Sequence, residues 1–217
     1  MTMYTNVLPG ITATGLKKLG EMDLLKHAYL AGGTAIALHL GHRISHDLDF
    51  FTDQPFDERI IAPLLEEQGL TDVALERQTI LGNFEGVSFS YFYYKYPLLA
   101  AAHMFEGVRI VDLLDSAGMK IDAISSRGIR RDFIDLYAIM RQRSLSLKDV
   151  FGLYQKKYGI QRDMVTHALR SLVYFDDAEG EQDRPLELLQ PIDWEQVKKF
   201  FREEVERTSR SLLMGDE

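Results

Sequence analysis

Two short polar clusters lie within one helix length of each other near residue 40. Gly32-Gly33-Thr34 comes first, and Asp47-Leu48-Asp49 follows. Glycines after a strand let backbone approach phosphate oxygens. A helix opening at Thr34 adds unpaired N–H groups and a partial positive charge, and the threonine adds a hydroxyl. Asp47 and Asp49 are two apart, so on a strand they share one face. Paired carboxylates are hard oxygen ligands suited to Mg²⁺ or Mn²⁺. Taken singly, Gly-Gly is a common turn and Asp-x-Asp a common solvated strand end. Joined in one strand, glycine, helix, turn and strand unit they say more, because two like charges on one face repel unless a cation sits there. The chemistry they suit is a phosphate chain held beside a divalent metal.

The elements that must position these residues are legible in outline. A helix capped at Thr12 or Thr14 runs to about His27, with Leu16, Leu19, Leu24 and Leu25 as its apolar stripe. Ala28 to Ala31 reads as a short buried strand. Thr34 to Leu40 reads as an apolar helix ended by Gly41, and Leu48 to Thr52 as the next strand. Asp57 opens a helix that Gly69 ends. Val73 to Leu81 and Val87 to Tyr94 read as two strands around the turn Gly82 to Gly86, and Val108 to Val111 as one last short strand. From there the pattern is helical: Asp112 to about Ser126, Arg130 to Arg143, a helix capped by Ser146 through Tyr158, then stretches near Arg162–Phe175 and Asp193–Leu213. Asp176 to Pro191 is acidic, contains proline and reads as a loop. The expected class is α+β: a mixed β-sheet with flanking helices over residues 1–108, then a mostly helical half over 109–217.

The totals exclude several classes. The 217 residues contain no cysteine, so disulfides, thiolate metal sites and cysteine nucleophiles are out. No apolar run reaches the roughly 20 residues of a membrane span, and Met1 to Gly10 lacks the pattern of a signal peptide. A cytoplasmic location is the default expectation. The net charge of −8 is uneven: residues 1–175 carry −1 and residues 176–217 carry −7. Bulk field therefore does not mark a nucleic-acid binder. The segment 117–143, at net +3 with Lys120, Arg127, Arg130, Arg131, Arg141 and Arg143, is the local patch that would suit RNA. A solvated, ion-paired helix face is the better single explanation of Arg141 and Arg143.

Two stretches carry a family resemblance. The run from Tyr29 through Gly32-Gly33-Thr34 and His42-Arg43 to Asp47-Leu48-Asp49-Phe50-Phe51 resembles the AbiEii/AbiGii-type nucleotidyltransferases, a branch of the DNA polymerase β-like superfamily. Met119-Lys120 through Arg127, Arg131, Asp132 and Asp135 to Tyr137 resembles a second motif of the same family, in the expected order. The family includes toxins of type IV toxin–antitoxin and phage abortive-infection systems. The resemblance implies a Mg²⁺-dependent (or Mn²⁺-dependent) transfer of a nucleoside monophosphate from an NTP to an RNA, such as tRNA, or to a protein, restrained by a cognate antitoxin. Asp47 and Asp49 would hold metal and act in catalysis. Gly32, Gly33, Thr34 and Arg43 would bind the nucleotide. Lys120 and Asp132 would be catalytic, and Arg127, Arg131 and Asp135 would line the same cleft from the helical half.

The residues themselves leave alternatives. Lys120 also suits a surface lysine lying along apolar neighbours. Asp135 shares a helix face with Asp132 and also suits a pair with Arg131. His42-Arg43 suits a turn that steadies the aspartate strand. The aromatic run Tyr91 to Tyr96 suits either base stacking or a half-buried strand. One departure from the superfamily pattern stands out. A third carboxylate usually lies on a later strand, and the matching strand here, Gly86 to Tyr94, offers Ser88 and Ser90 instead. The alternative function is accordingly a catalytically weak or inactive nucleotide-binding module of the same fold.

Overall fold

The protein is described by a computed structural model covering residues 2–159, 162–180 and 185–214, without the side chains of 162–163 and 211–214. The chain separates into two compact units, Met1–Asp112 and Leu113–Glu217.

The first unit is built on a seven-stranded mixed sheet. Its elements run α1 (Gly10–Gly20), β1 (Tyr29–Leu30), α2 (Gly32–Leu40), β2 (Leu48–Thr52), α3 (Glu58–Glu67), β3 (Leu70–Glu76), β4 (Thr79–Phe84), β5 (Val87–Tyr93), β6 (His103–Phe105) and β7 (Val108–Ile110). The sheet order is β3-β4-β5-β2-β1-β7-β6. The β2–β5 and β1–β7 pairs are parallel, and the remaining pairs are antiparallel. Alternation on β2 sends Leu48, Phe50 and Thr52 into the interior and leaves Asp49 and Phe51 half-buried on the other face. Helix α1 covers the interior face closely. A Cβ on Gly15 would lie 3.6–3.8 Å from Val87, Leu48 and Phe84. Leu16 and Leu19 are buried beside it, each stabilising the unit by roughly 1.5–3 kcal/mol.

Several expected boundaries shift for local reasons. Helix α1 begins at Gly10, straight after Pro9. Thr14 bonds back to the Gly10 carbonyl at 2.9 Å instead of capping, and Thr12 is buried. Helix α2 begins two residues earlier than read, at Gly32. The single strand expected over Val73 to Leu81 is two strands, broken at Arg77-Gln78, where Gln78 turns with φ 55°. Gly82 and Asn83 are part of β4. The hairpin turn is Glu85-Gly86, with φ positive at both residues, the geometry that suits tight antiparallel connections. The Glu106-Gly107 turn repeats that geometry and creates β6, which the sequence reading missed.

The second unit is helical: α4 (Leu113–Ser126), α5 (Arg130–Arg143), α6 (Leu147–Tyr158), α7 (Arg162–Ser171), α8 (Asp176–Gly180) and α9 (Trp194–Met214). Ser146 and Asp149 form a reciprocal capping box at the start of α6. Phe133 centres an aromatic core, with the rings of Phe175, Trp194 and Phe201 at 5.2, 5.9 and 5.6 Å. Part of the stretch read as an acidic loop is the short helix α8, and residues 181–184 of it lie outside the described residues. The fold is α+β, as the element order implied.

Candidate active site

In the first unit the glycine turn and the aspartate strand are locked together. Ala31 N–H donates to the Asp49 carbonyl at 2.9 Å. Gly32 adopts φ +64°, and a Cβ there would sit 2.8 Å from Asp49 Oδ2. Only a residue without a side chain leaves room for the carboxylate at that spot. Helix α2 starts at this point with no side chain capping it. Its first-turn N–H groups, those of Gly32, Gly33 and Thr34, have no partner within the helix. A partial positive charge therefore lies beside a carboxylate.

Thr34 serves the turn from inside. Its side chain is buried, and its hydroxyl bonds Ser45 Oγ at 2.8 Å and donates to the Asp47 carbonyl. The hydroxyl that the sequence offered to a phosphate thus holds the residues leading into Asp47. Arg43 is buried as well, its guanidinium donating to the Ile44 carbonyl at 3.0 Å and to Ser45 Oγ at 3.4 Å. His42 is fully enclosed. Arg43 therefore braces the loop that carries Asp47. Asp47 and Asp49 remain half-exposed.

Sheet register places Asp49 directly beside Ser90 of the parallel neighbour β5. No carboxylate occupies that position. Among the described residues no group of three or more His, Asp or Glu is arranged to hold a metal by itself. Two carboxylates still fit Mg²⁺ or Mn²⁺, because Mg²⁺ is commonly held by one or two carboxylates plus substrate phosphates and waters. A cavity of about 640 Å³ lined by Lys18, Met22, Leu64 and Phe84 touches none of the expected site residues.

The residues of the second motif meet in the second unit. Lys120 Nζ on α4 lies 2.7 Å from Asp132 Oδ1 and 2.7 Å from Asp135 Oδ2, both on α5. Arg127 forks onto Asp132 through Nε at 2.9 Å and Nη2 at 3.0 Å. Asp132 and Asp135 are fully enclosed, Lys120 is 5% exposed, and the Arg127 side chain is 58% exposed. Burial pushes the Asp132 carboxyl up, but Lys120 and Arg127 outweigh it and hold it below the usual range. Asp132 is thus a charged anchor for two cations. Arg131, also expected to bind nucleotide, is half-exposed on α5.

Sequence reasoning missed two further polar sites. Lys157 and Asp115 form a wholly buried ion pair at 2.7 Å. A separation of 42 positions along the chain gives no local signal. His39 Nε2 meets the Val111 carbonyl at 2.7 Å, His103 meets Asp112 Oδ2 at 2.8 Å, and the two imidazoles stand edge to face at 5.1 Å.

The sequence of the first unit decides the family. Residues 16–97 match the family described as "Nucleotidyl transferase AbiEii toxin, Type IV TA system". The chain belongs to the AbiEii nucleotidyltransferase toxin family. The match contains the glycine turn and both aspartates. A protein of Aquifex aeolicus, aq_aa25, itself uncharacterized, is 36% identical over 196 residues, covering 88% of this chain and 92% of its own length. A crystal structure described as a presumed nucleotidyltransferase from H. pylori superposes with TM-score 0.51 at 16% identity over 95% of each chain, a likeness of fold. The nucleotidyltransferase toxin MenT4 of Mycobacterium tuberculosis is a looser match, with TM-score 0.47 at 14% identity over 91% of this chain and 85% of its own. Among the described residues no helix is long and apolar enough to cross a membrane.

Proposed function

We propose that this AbiEii family member transfers a nucleoside monophosphate from an NTP to a hydroxyl of an RNA, such as a tRNA, or of a protein. The observation that carries this reading is the Asp49 carboxylate, seated against Gly32 at the uncapped start of α2. That arrangement sets a metal-ligating oxygen beside N–H groups suited to phosphate, which is what a metal-bound triphosphate requires.

In this reading the α2 first turn, Gly32 to Thr34, receives phosphate oxygens, and Asp47 and Asp49 hold Mg²⁺ or Mn²⁺. The bound cation would neutralise charge that develops on the transferring phosphate. Thr34 and Arg43 keep Asp47 in place through Ser45 and the loop carbonyls. In the second unit Arg127, the most accessible cation of the second motif, offers positive charge, while Lys120 and Asp135 belong to the buried ion-pair cluster that Asp132 joins. Asp132 then acts as a positioning residue and not as the base. A carboxyl held below its usual range by two cations is a weak proton acceptor at neutral pH. As a toxin, the enzyme would be restrained by a cognate antitoxin and act in the cytoplasm.

A second reading rests on one observation. Ser90 stands beside Asp49 where the superfamily has a third carboxylate. A nucleotide-binding module with slow or no turnover would retain everything else. Incubating the protein with each labelled NTP, Mg²⁺, and total RNA or cell protein separates the two. Label on an acceptor with the wild type, and none with Asp47→Ala/Asp49→Ala, supports the enzyme. Nucleotide binding without any labelled acceptor supports the module.

A further inference from the structure

The sheet face that carries Asp49 continues into a ledge of aromatic rings. Phe51 follows Asp49 by two residues on β2, so its side chain shares the face about 7 Å farther along. Phe92 is paired with Phe51 across the parallel β2–β5 ladder, as Ser90 is with Asp49. Their rings lie 5.1 Å apart. Tyr94, whose N–H continues the ladder to the Thr52 carbonyl at 2.7 Å, stands edge-on to Phe51 at 5.3 Å, and Tyr96 stands edge-on to Tyr94 at 5.2 Å. Tyr29 of β1, the buried cross-strand partner of Phe51, stacks beside it at 6.0 Å and holds that end of the row.

A core would enclose rings packed this way. Phe50 and Phe89, on the opposite face of the same two strands, are 1% exposed. Phe51, Phe92, Tyr94 and Tyr96 are all half-buried. They therefore present π-faces and edges on the side where the carboxylates lie. Lys95 caps the row, with its ammonium 5.2 Å from the Tyr96 ring centre. Planar rings fixed by their neighbours with a cation at one end suit a flat, unpaired heteroaromatic ligand beside phosphate.

We infer that Phe51, Phe92, Tyr94 and Tyr96 form a nucleobase-stacking ledge adjoining the Asp47/Asp49 site. The inference rests on the proposed function for the location of the phosphate, but stacking itself depends only on the rings. The base belongs either to the NTP or to an unpaired nucleotide of an RNA acceptor. Stacking tolerates any base, so the ledge contributes affinity more than base identity.

Calorimetric binding distinguishes the sources. Wild type, Tyr94→Leu and Phe92→Leu are titrated in Mn²⁺ with three probes: inorganic tripolyphosphate, a non-hydrolysable NTP, and a short single-stranded RNA. Tyr94→Trp serves as a ring-preserving control, and circular dichroism confirms that each variant is folded. The leucine variants are expected to lose about tenfold in affinity for the NTP analogue or the RNA, with tripolyphosphate unchanged and Tyr94→Trp near wild type. Loss confined to the NTP assigns the donor base, and loss confined to the RNA assigns the acceptor base. Equal affinity of wild type and both leucine variants for NTP and RNA alike overturns the ledge. Failure of the wild type to bind tripolyphosphate or NTP sinks the proposed metal-nucleotide site instead, and the RNA titration alone then decides the ledge.

Discussion

Replacing Gly32 by alanine disturbs the site without touching a charged residue. Two costs follow from the structure. The first is backbone strain: Gly32 holds φ +64°, which a residue with a Cβ adopts at a cost of about 1–2 kcal/mol. The second is local: the new Cβ would lie 2.8 Å from Asp49 Oδ2. A carbon and an oxygen settle no closer than about 3.3 Å, so the carboxylate must retreat by roughly half an ångström. Displacements of about 1 Å near reacting atoms cost on the order of a hundredfold, so about tenfold is expected here in both Mn²⁺ affinity and transfer rate. Gly159→Ala is the matched control. It has the same left-handed backbone, φ +65°, with nothing among the described residues within 4 Å of the added Cβ. Urea unfolding should show similar destabilisation for both variants. An Mn²⁺ titration followed by electron paramagnetic resonance should weaken only for Gly32→Ala. Equal Mn²⁺ affinity of the two variants would refute the claim that Gly32 reserves space for a metal-binding carboxylate.

Other outcomes follow from the polar contacts. Thr34→Val removes the bonds to Ser45 and to the Asp47 carbonyl, and should cost about 1–3 kcal/mol in urea unfolding while weakening Mn²⁺ binding. Lys157→Met strands the buried Asp115 carboxylate and should cost about 3–5 kcal/mol. Adding Asp115→Leu should recover most of that loss, as a double-mutant cycle would show. Asp132 has a folded pKa below its unfolded value of about 3.9, so its stabilising contribution is complete above that pH and is lost as pH falls through the folded pKa. The acid limb of the stability curve should therefore be shallower in Asp132→Asn than in wild type, as unfolding followed between about pH 2 and pH 5 would show.

The candidate site was legible where its cause is local. A glycine pair before an apolar helix, and two aspartates at strand spacing, specify the Gly32 turn and the Asp49 face without distant partners. Ser146 and Asp149 likewise announce the start of α6. Features that depend on distant contacts were not legible. Thr34 looks like a phosphate ligand until the fold brings Ser45 and the Asp47 carbonyl to its hydroxyl. Lys120 suits a surface lysine until α5 delivers two carboxylates to it. Gln78 breaks a strand through an unusual backbone angle that its side chain does not advertise. The shared helix face of Asp132 and Asp135 was readable from their spacing, but its occupant was not.

Label placement within the nucleotide tests the central claim most directly. Purified protein is incubated with Mg²⁺, total RNA or cell protein, and an NTP radiolabelled at either the α- or the γ-phosphate. Nucleotidyl transfer predicts that α-label becomes covalently attached to the acceptor, that γ-label departs as pyrophosphate, and that Asp47→Ala/Asp49→Ala abolishes both. Transfer of γ-label to the acceptor, or α-label transfer that persists in the double variant, would contradict the assignment.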